Sequence, residues 1–155
     1  MTSFSVAANV TLSSLARYCH PFISSKEEND VADKYIDRFH IKTNGTDTLL
    51  CDLSGGNQQK VAIAKGLDTM PRIFIFDEPT RGIDIQAKSE VYAFIRSLLE
   101  QGMACILISS DLEEIIGICR RVAVMRDGRI AGFLQDDEIS EEKIMYLANG
   151  VSTAL

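Results

Sequence analysis

Leu53-Ser54-Gly55-Gly56-Asn57-Gln58-Gln59-Lys60, followed by Arg72-Ile73-Phe74-Ile75-Phe76-Asp77-Glu78-Pro79-Thr80, is the stretch on which the reading of this chain turns. Ser54 is a residue type that caps helix N-termini. Gly55 and Gly56 carry no Cβ, so the first amides of the helix behind them can approach an anion. Val61, Ala64 and Leu67 recur at helical spacing and predict the buried side of that helix, with Gln58, Lys60 and Lys65 elsewhere. The run Ile73 to Phe76 reads as a strand covered on both faces, as in the parallel sheet of an α/β protein, where ligands gather at the carboxyl ends of strands. Asp77 and Glu78 stand at that end, and Pro79 stops the strand because it lacks an N–H. Taken singly, an ordinary capped helix and a solvated strand end remain open. Together the two halves describe equipment for polyphosphate.

Several motifs in fixed order carry a resemblance that extends over essentially the whole chain. Leu53 to Lys60 resembles the signature motif of ATP-binding-cassette (ABC) ATPases. Phe74 to Thr80 resembles their Walker B strand with its catalytic glutamate, and Gly82-Ile83-Asp84 resembles their D-loop. LSGGNQQK paired with DEPTRGID is similar in particular to the second cassette of the double-cassette ATPases of bacterial sugar importers, the ribose, galactose, xylose and autoinducer-2 group. The implied fold is α/β: part of a P-loop NTPase, with a mostly parallel sheet, flanking helices and a C-terminal hairpin. The implied organisation is a partial helical subdomain over residues 1–70 and the end of the ATPase core over 71–155.

The resemblance also implies roles. Asp77 would hold Mg²⁺, since hard cations prefer carboxylate oxygen, and Glu78 would act as general base or position the attacking water. Ser54, Gly55, Gly56 and Asn57 would contact the γ-phosphate of ATP bound by an opposing cassette, and Asp84 would face the seam between the two. Asn57 stands where ABC proteins at large carry glutamine but matches the sugar-importer variant. Ser110 occupies the place of a histidine that contacts the γ-phosphate in many cassettes. Its hydroxyl can hydrogen-bond a phosphate but brings no positive charge. Implied partners are a second cassette, transmembrane permease subunits and, indirectly, a periplasmic sugar-binding protein. The implied location is cytoplasmic, on the inner face of the plasma membrane.

Composition is compatible with this reading. The 155 residues suffice for about one domain, 46% are hydrophobic and 25% charged, and the formal net charge of −6 argues against a broad nucleic-acid surface. Cys19, Cys51, Cys105 and Cys119 form no C-x-x-C pair and read as reduced thiols, and His20 and His40 have no partner at metal-ligand spacing. No apolar run reaches the length of a membrane span, and Met1 to Leu15 does not read as a secretory signal.

Elsewhere, Val10, Leu12 and Leu15 are the expected buried positions before Pro21. Asn29 or Asp30 is the expected cap of a helix whose stripe is Val31, Ala32, Tyr35, Ile36 and Phe39, and Asn44-Gly45 marks a turn. The spacing of Ala87, Val91, Phe94, Ile95 and Leu98 predicts a helix ending near Gly102. Met103 to Ile108 then reads as a second two-face-buried strand, completing a βαβ unit. Leu112, Ile115 and Ile116 suggest a short helix, Asp127-Gly128 a hairpin, and Ser140 the cap of a last helix with Ile144, Met145 and Leu147 inward.

The sequence contains no G-x-x-x-x-G-K-[ST], the loop whose amides and lysine hold β and γ phosphates, and no glutamine loop before the signature. The expectation is therefore the last portion of a second cassette. One reading is the ATP-hydrolysing component of a carbohydrate importer. The alternative is a non-catalytic remnant that docks on a permease or cassette without turning over ATP alone.

Overall fold

A computed structural model describes residues 1–150. Two compact units divide the chain, one spanning Met1–Ile106 and the other running from Leu107 on, and the passage falls within a strand.

In the first unit, α1 (Val6–Thr11) leads into a 3-10 stretch, Leu12–Tyr18. Helices α2 (Ser25–Phe39) and α3 (Gly55–Leu67) follow, then strand β1 (Ile73–Asp77), helix α4 (Ile85–Glu100) and strand β2, Ala104–Ile108. Val10 is fully buried, whereas Leu12 and Leu15 are only half-buried. Helix α2 begins earlier than the sequence suggested. Its cap is Ser24, whose Oγ accepts the Glu27 amide at 3.4 Å, and Asn29 and Asp30 lie inside the helix. Glu27 and Glu28 in the first turn favour this start through the helix dipole. The predicted stripe holds: Ala32 and Phe39 are buried and Val31, Tyr35 and Ile36 half-buried, while Asp33, Lys34, Asp37 and Arg38 face solvent.

Helix α1 packs on α2 and α3, and α3 packs on α4. Val61, Ala64 and Leu67 are buried as expected, joined by Ile63. On α4, Val91, Ile95 and Leu98 are the buried residues, and Phe94 meets Phe39 edge-on with centroids 4.4 Å apart, tying α4 to the end of α2. Gly66 lets α3 lie close on β1, since a Cβ there would come within 2.6 Å of the Phe74 ring.

β1 and β2 are hydrogen-bonded neighbours. The Ala104 amide donates to the Arg72 carbonyl at 3.3 Å, which joins the start of one strand to the start of the other, the relation of a parallel pair across a helical crossover. The expectation that both strands are covered on two faces is corrected. Phe76 is buried and Phe74 half-buried, but Ile73 and Ile75 are 58% and 59% exposed, and Ile106 and Ile108 are both 50% exposed. Alternate residues along each strand are exposed, so each strand is covered on one side only.

In the second unit, α5 (Leu112–Ile118) precedes the antiparallel hairpin of β3 (Arg121–Arg126) and β4 (Arg129–Gln135), and α6 (Glu141–Asn149) follows. Asp127 and Gly128 both have positive φ, 50° and 73°, which a two-residue hairpin turn of this twist requires. Ile115, Val122, Val124, Leu134 and Ile144 form the core of this unit. Ser140 caps α6 through the Lys143 amide at 3.3 Å. Met145 turns outward, and Leu147 and Ala148 join Ile144 against the core instead.

Candidate functional site

Ser54 is the N-cap of α3 by backbone position, but its hydroxyl does not cap the helix. The Asn57 side-chain amide donates to Ser54 Oγ at 2.9 Å, and Asn57 Oδ1 accepts the Lys42 amide at 2.9 Å. Asn57 is consequently buried, at 9% exposure, and braces the loop before α3. Gln58 donates to the Leu53 carbonyl at 2.8 Å, a second brace. The first-turn amides of α3 are left without a side-chain cap, at the end of the helix where the dipole favours an anion.

The two glycines have different surroundings. Gly55 is exposed, and a Cβ there would meet only Ile83 Cγ2 at 3.9 Å. A Cβ on Gly56 would sit 2.8 Å from Ala87 Cβ, so that glycine lets α3 and α4 cross closely. Asp84 caps α4, with Oδ1 accepting the Ala87 amide at 2.9 Å. Ser54, Gly56, Asn57 and Asp84 line one recess of about 110 Å³, together with Lys42 and Glu90. That volume suits a single phosphate-sized group and falls well short of the roughly 300 Å³ at which small-molecule sites begin.

Asp77 ends β1, exposed, and its carboxylate makes no hydrogen bond or ion pair among the described residues. Glu78 follows at φ 47°, a left-handed conformation rare for a side-chain-bearing residue. Arg81 N–H closes the turn on the Glu78 carbonyl at 3.1 Å, and Pro79 and Thr80 are buried beneath it. The kink therefore takes Glu78 off the strand direction and fixes it there. Among the described residues no group of three or more His, Cys, Asp or Glu side chains could hold a metal. A single unengaged carboxylate fits Mg²⁺, which keeps several waters and takes its other oxygens from phosphate.

Ser110 lies in the second unit, exposed, in the bend between β2 and α5. Its neighbour Ser109 accepts the Asp111 amide at 3.0 Å, and Asp111 caps α5 through the Glu113 and Glu114 amides. Two features were missed from the sequence. Lys42 lines the recess and gives its backbone amide to Asn57, a tie for which no side-chain pattern exists. Asp68, 4% exposed, gathers the hydroxyls of Ser14 and Tyr18 and an Arg17 guanidinium 3.8 Å away, binding the 3-10 stretch to the end of α3.

A glycine-led helix, a strand ending at Asp77 with Glu78 just beyond it, then a helix and a neighbouring strand share their arrangement with solved ATP-binding cassettes. Solved cassettes superpose accordingly. A metal-chelate type ABC transporter in an inward-facing conformation matches with TM-score 0.80 at 16% identity, over 96% of this chain and 59% of that one. A dimeric cassette captured after hydrolysis with ADP and phosphate matches with TM-score 0.73 at 23% identity, over 87% of this chain and 58% of that one. The chain belongs to the ABC transporter family, whose model matches residues 2–81. It is 44% identical over 97% of its length to the ribose import ATP-binding protein of Halalkalibacterium halodurans. It is 47% identical over 95% to that of Oceanobacillus iheyensis, and 44% identical over 94% to the xylose import ATP-binding protein of Moorella thermoacetica. The chain spans about 30% of the length of these relatives.

Proposed function

We propose that the chain supplies the signature side and the strand-end acids of an ATP-hydrolysing cassette in a carbohydrate importer. The observation that carries this is the shared recess of Ser54, Gly56, Asn57 and Asp84 at the uncapped start of α3. Ser54 Oγ and the first α3 amides bind the γ-phosphate of ATP held by a facing cassette, with Gly55 leaving that approach open and Asn57 holding the loop in place. Asp84 lies along the seam. Mg²⁺, when bound, would supply the charge neutralisation that phosphoryl transfer needs. Asp77 holds it, Glu78 orients the attacking water and takes its proton, and Ser110 donates a hydrogen bond to the γ-phosphate. We assign the role of helical subdomain to residues 1–70 and that of ATPase core to 71–155. The partners are a second cassette and a membrane permease, with a sugar-binding protein acting through the permease. The chain works at the cytoplasmic face of the membrane.

The small recess and the absence of G-x-x-x-x-G-K-[ST] from the sequence favour a second statement: alone, the chain does not hold a nucleotide. Titration calorimetry of the isolated chain with Mg·ATP is expected to give a Kd of about a millimolar or weaker. Micromolar binding would overturn this. Fused behind the preceding part of a relative's cassette, Glu78→Gln is expected to slow single-turnover hydrolysis about 100-fold or more while sparing ATP binding. Unchanged turnover at that site would remove Glu78 from the role.

A further inference from the structure

A larger groove opens where the end of α2, the middle of α3 and α4 converge, with a volume of about 380 Å³. Its wall is apolar, formed by Phe39 and Phe94 in edge-to-face contact together with Ile63 and Val91. Its polar lining is mostly cationic: Arg38, Lys42 and Lys60 stand there with a single carboxylate, Glu90. Glu90 is already engaged, since Lys60 Nζ lies 2.5 Å from its Oε2 and also donates to the His40 carbonyl at 3.2 Å. Arg38 stacks over the Phe39 ring at 5.6 Å while hydrogen-bonding Gln101. Lys42, an exposed lining residue, has its ammonium uncommitted among the described residues. This local excess of positive charge stands out in a chain of net charge −6.

We propose that this groove is a binding site for a small amphipathic anion, an aromatic carboxylate or sulfonate whose rings lie on Phe39 and Phe94 and whose charge pairs with Lys42. Volume and lining both select for it. The space is at the lower end of small-molecule sites, and an apolar pocket with a few convergent polar groups is the usual form of one. The aromatic wall rewards a flat apolar body, and the unpaired cation rewards an anion while penalising a second cation. The site is separate from the phosphate-sized recess but adjoins it, because Lys42 and Glu90 line both. A ligand drawing on Lys42 therefore bears on the segment whose amide is held by Asn57. The chain thus carries a place where a metabolite of this class can act on the loop before α3.

The test uses the isolated chain and 2-naphthalenesulfonate, followed by calorimetry and amide NMR. The expected result is saturable one-to-one binding that shifts the amides of Lys42, Phe94 and Ser97. Lys42→Glu should weaken it about tenfold or more by replacing attraction with repulsion. Uncharged 2-naphthalenesulfonamide should bind about tenfold more weakly than the sulfonate. Ile75→Lys, on the bare sheet face, should leave the affinity unchanged. No saturable binding, equal affinity for the sulfonamide, indifference to Lys42→Glu, or shifts centred on Ile73 and Ile75 would each overturn the proposal.

Discussion

Gly56 and Ala87 mark the closest approach of α3 to α4: a Cβ built on Gly56 would lie 2.8 Å from Ala87 Cβ, a distance that real side chains do not adopt. Both neighbours are backbone-proximal, so neither can swing aside as the tip of a flexible side chain could. Gly56→Ala is therefore expected to destabilise the chain by about 1–3 kcal/mol through overpacking. Chemical denaturation would measure it, and Ala87→Gly in the same molecule should restore part of the loss. A Gly56→Ala variant as stable as the parent would show that the close crossing of α3 and α4 does not depend on the glycine.

Asn57 supports a second prediction because both ends of its side chain are engaged. Removing it in Asn57→Ala strips the Lys42 amide of its acceptor and Ser54 Oγ of its donor. Loss of about 1–3 kcal/mol is expected, the cost of leaving a partly buried polar group unsatisfied. Hydrogen exchange should report it locally, with the Lys42 amide exchanging far faster while the α4 amides are unaffected. Unaltered protection at Lys42 would contradict the brace.

How much was legible in the sequence depended on whether a partner was encoded locally. The α2 and α4 stripes, the Asp127-Gly128 turn and the Ser140 cap follow from spacing within a few residues, and they stand where expected. The start of α2 did not, because its first turn, Lys26, Glu27 and Glu28, is polar all round and shows no stripe until Val31. The residue types of the site were readable from motif order, but the different duties of Gly56 and Asn57 were not. Their partners, Ala87 and the Lys42 amide, are distant in sequence, and one of them is backbone. The bare isoleucines were illegible for a similar reason: an apolar run states what a strand can bury, and what covers it is decided by other segments.

Those isoleucines give a third prediction. Ile73, Ile75 and Ile106 present an apolar face on a short sheet, a surface that soluble chains seldom leave open. Self-association of the isolated chain is expected in sedimentation velocity, growing with concentration. Ile75→Lys should shift the distribution toward monomer without reducing helix content. A parent chain that is monomeric throughout the range would show the face to be innocuous.

Tyr18 and Asp68 make stability depend on pH in the alkaline range. Burial, reinforced by the hydrogen bond to Asp68 and its negative charge, pushes the Tyr18 phenol up to about 12. In the unfolded chain the same group has the ordinary value of 10.0. The folded state thus holds the proton more tightly, so the contribution is complete below the unfolded value and is lost as pH rises from there through the folded one. Denaturation midpoints are expected to fall between about pH 10 and 12, and ultraviolet titration should find the Tyr18 phenolate forming late, with Tyr35 also raised by its burial. Asp68→Asn removes the charge but leaves the burial, so it should bring that titration only part of the way down. It should also destabilise the chain near neutral pH by about 1–3 kcal/mol, because an amide offers Ser14 and Tyr18 one acceptor oxygen where the carboxylate offers two, and Arg17 loses the charge opposite it. A late-titrating tyrosine indifferent to Asp68→Asn would mean that burial alone sets its proton affinity.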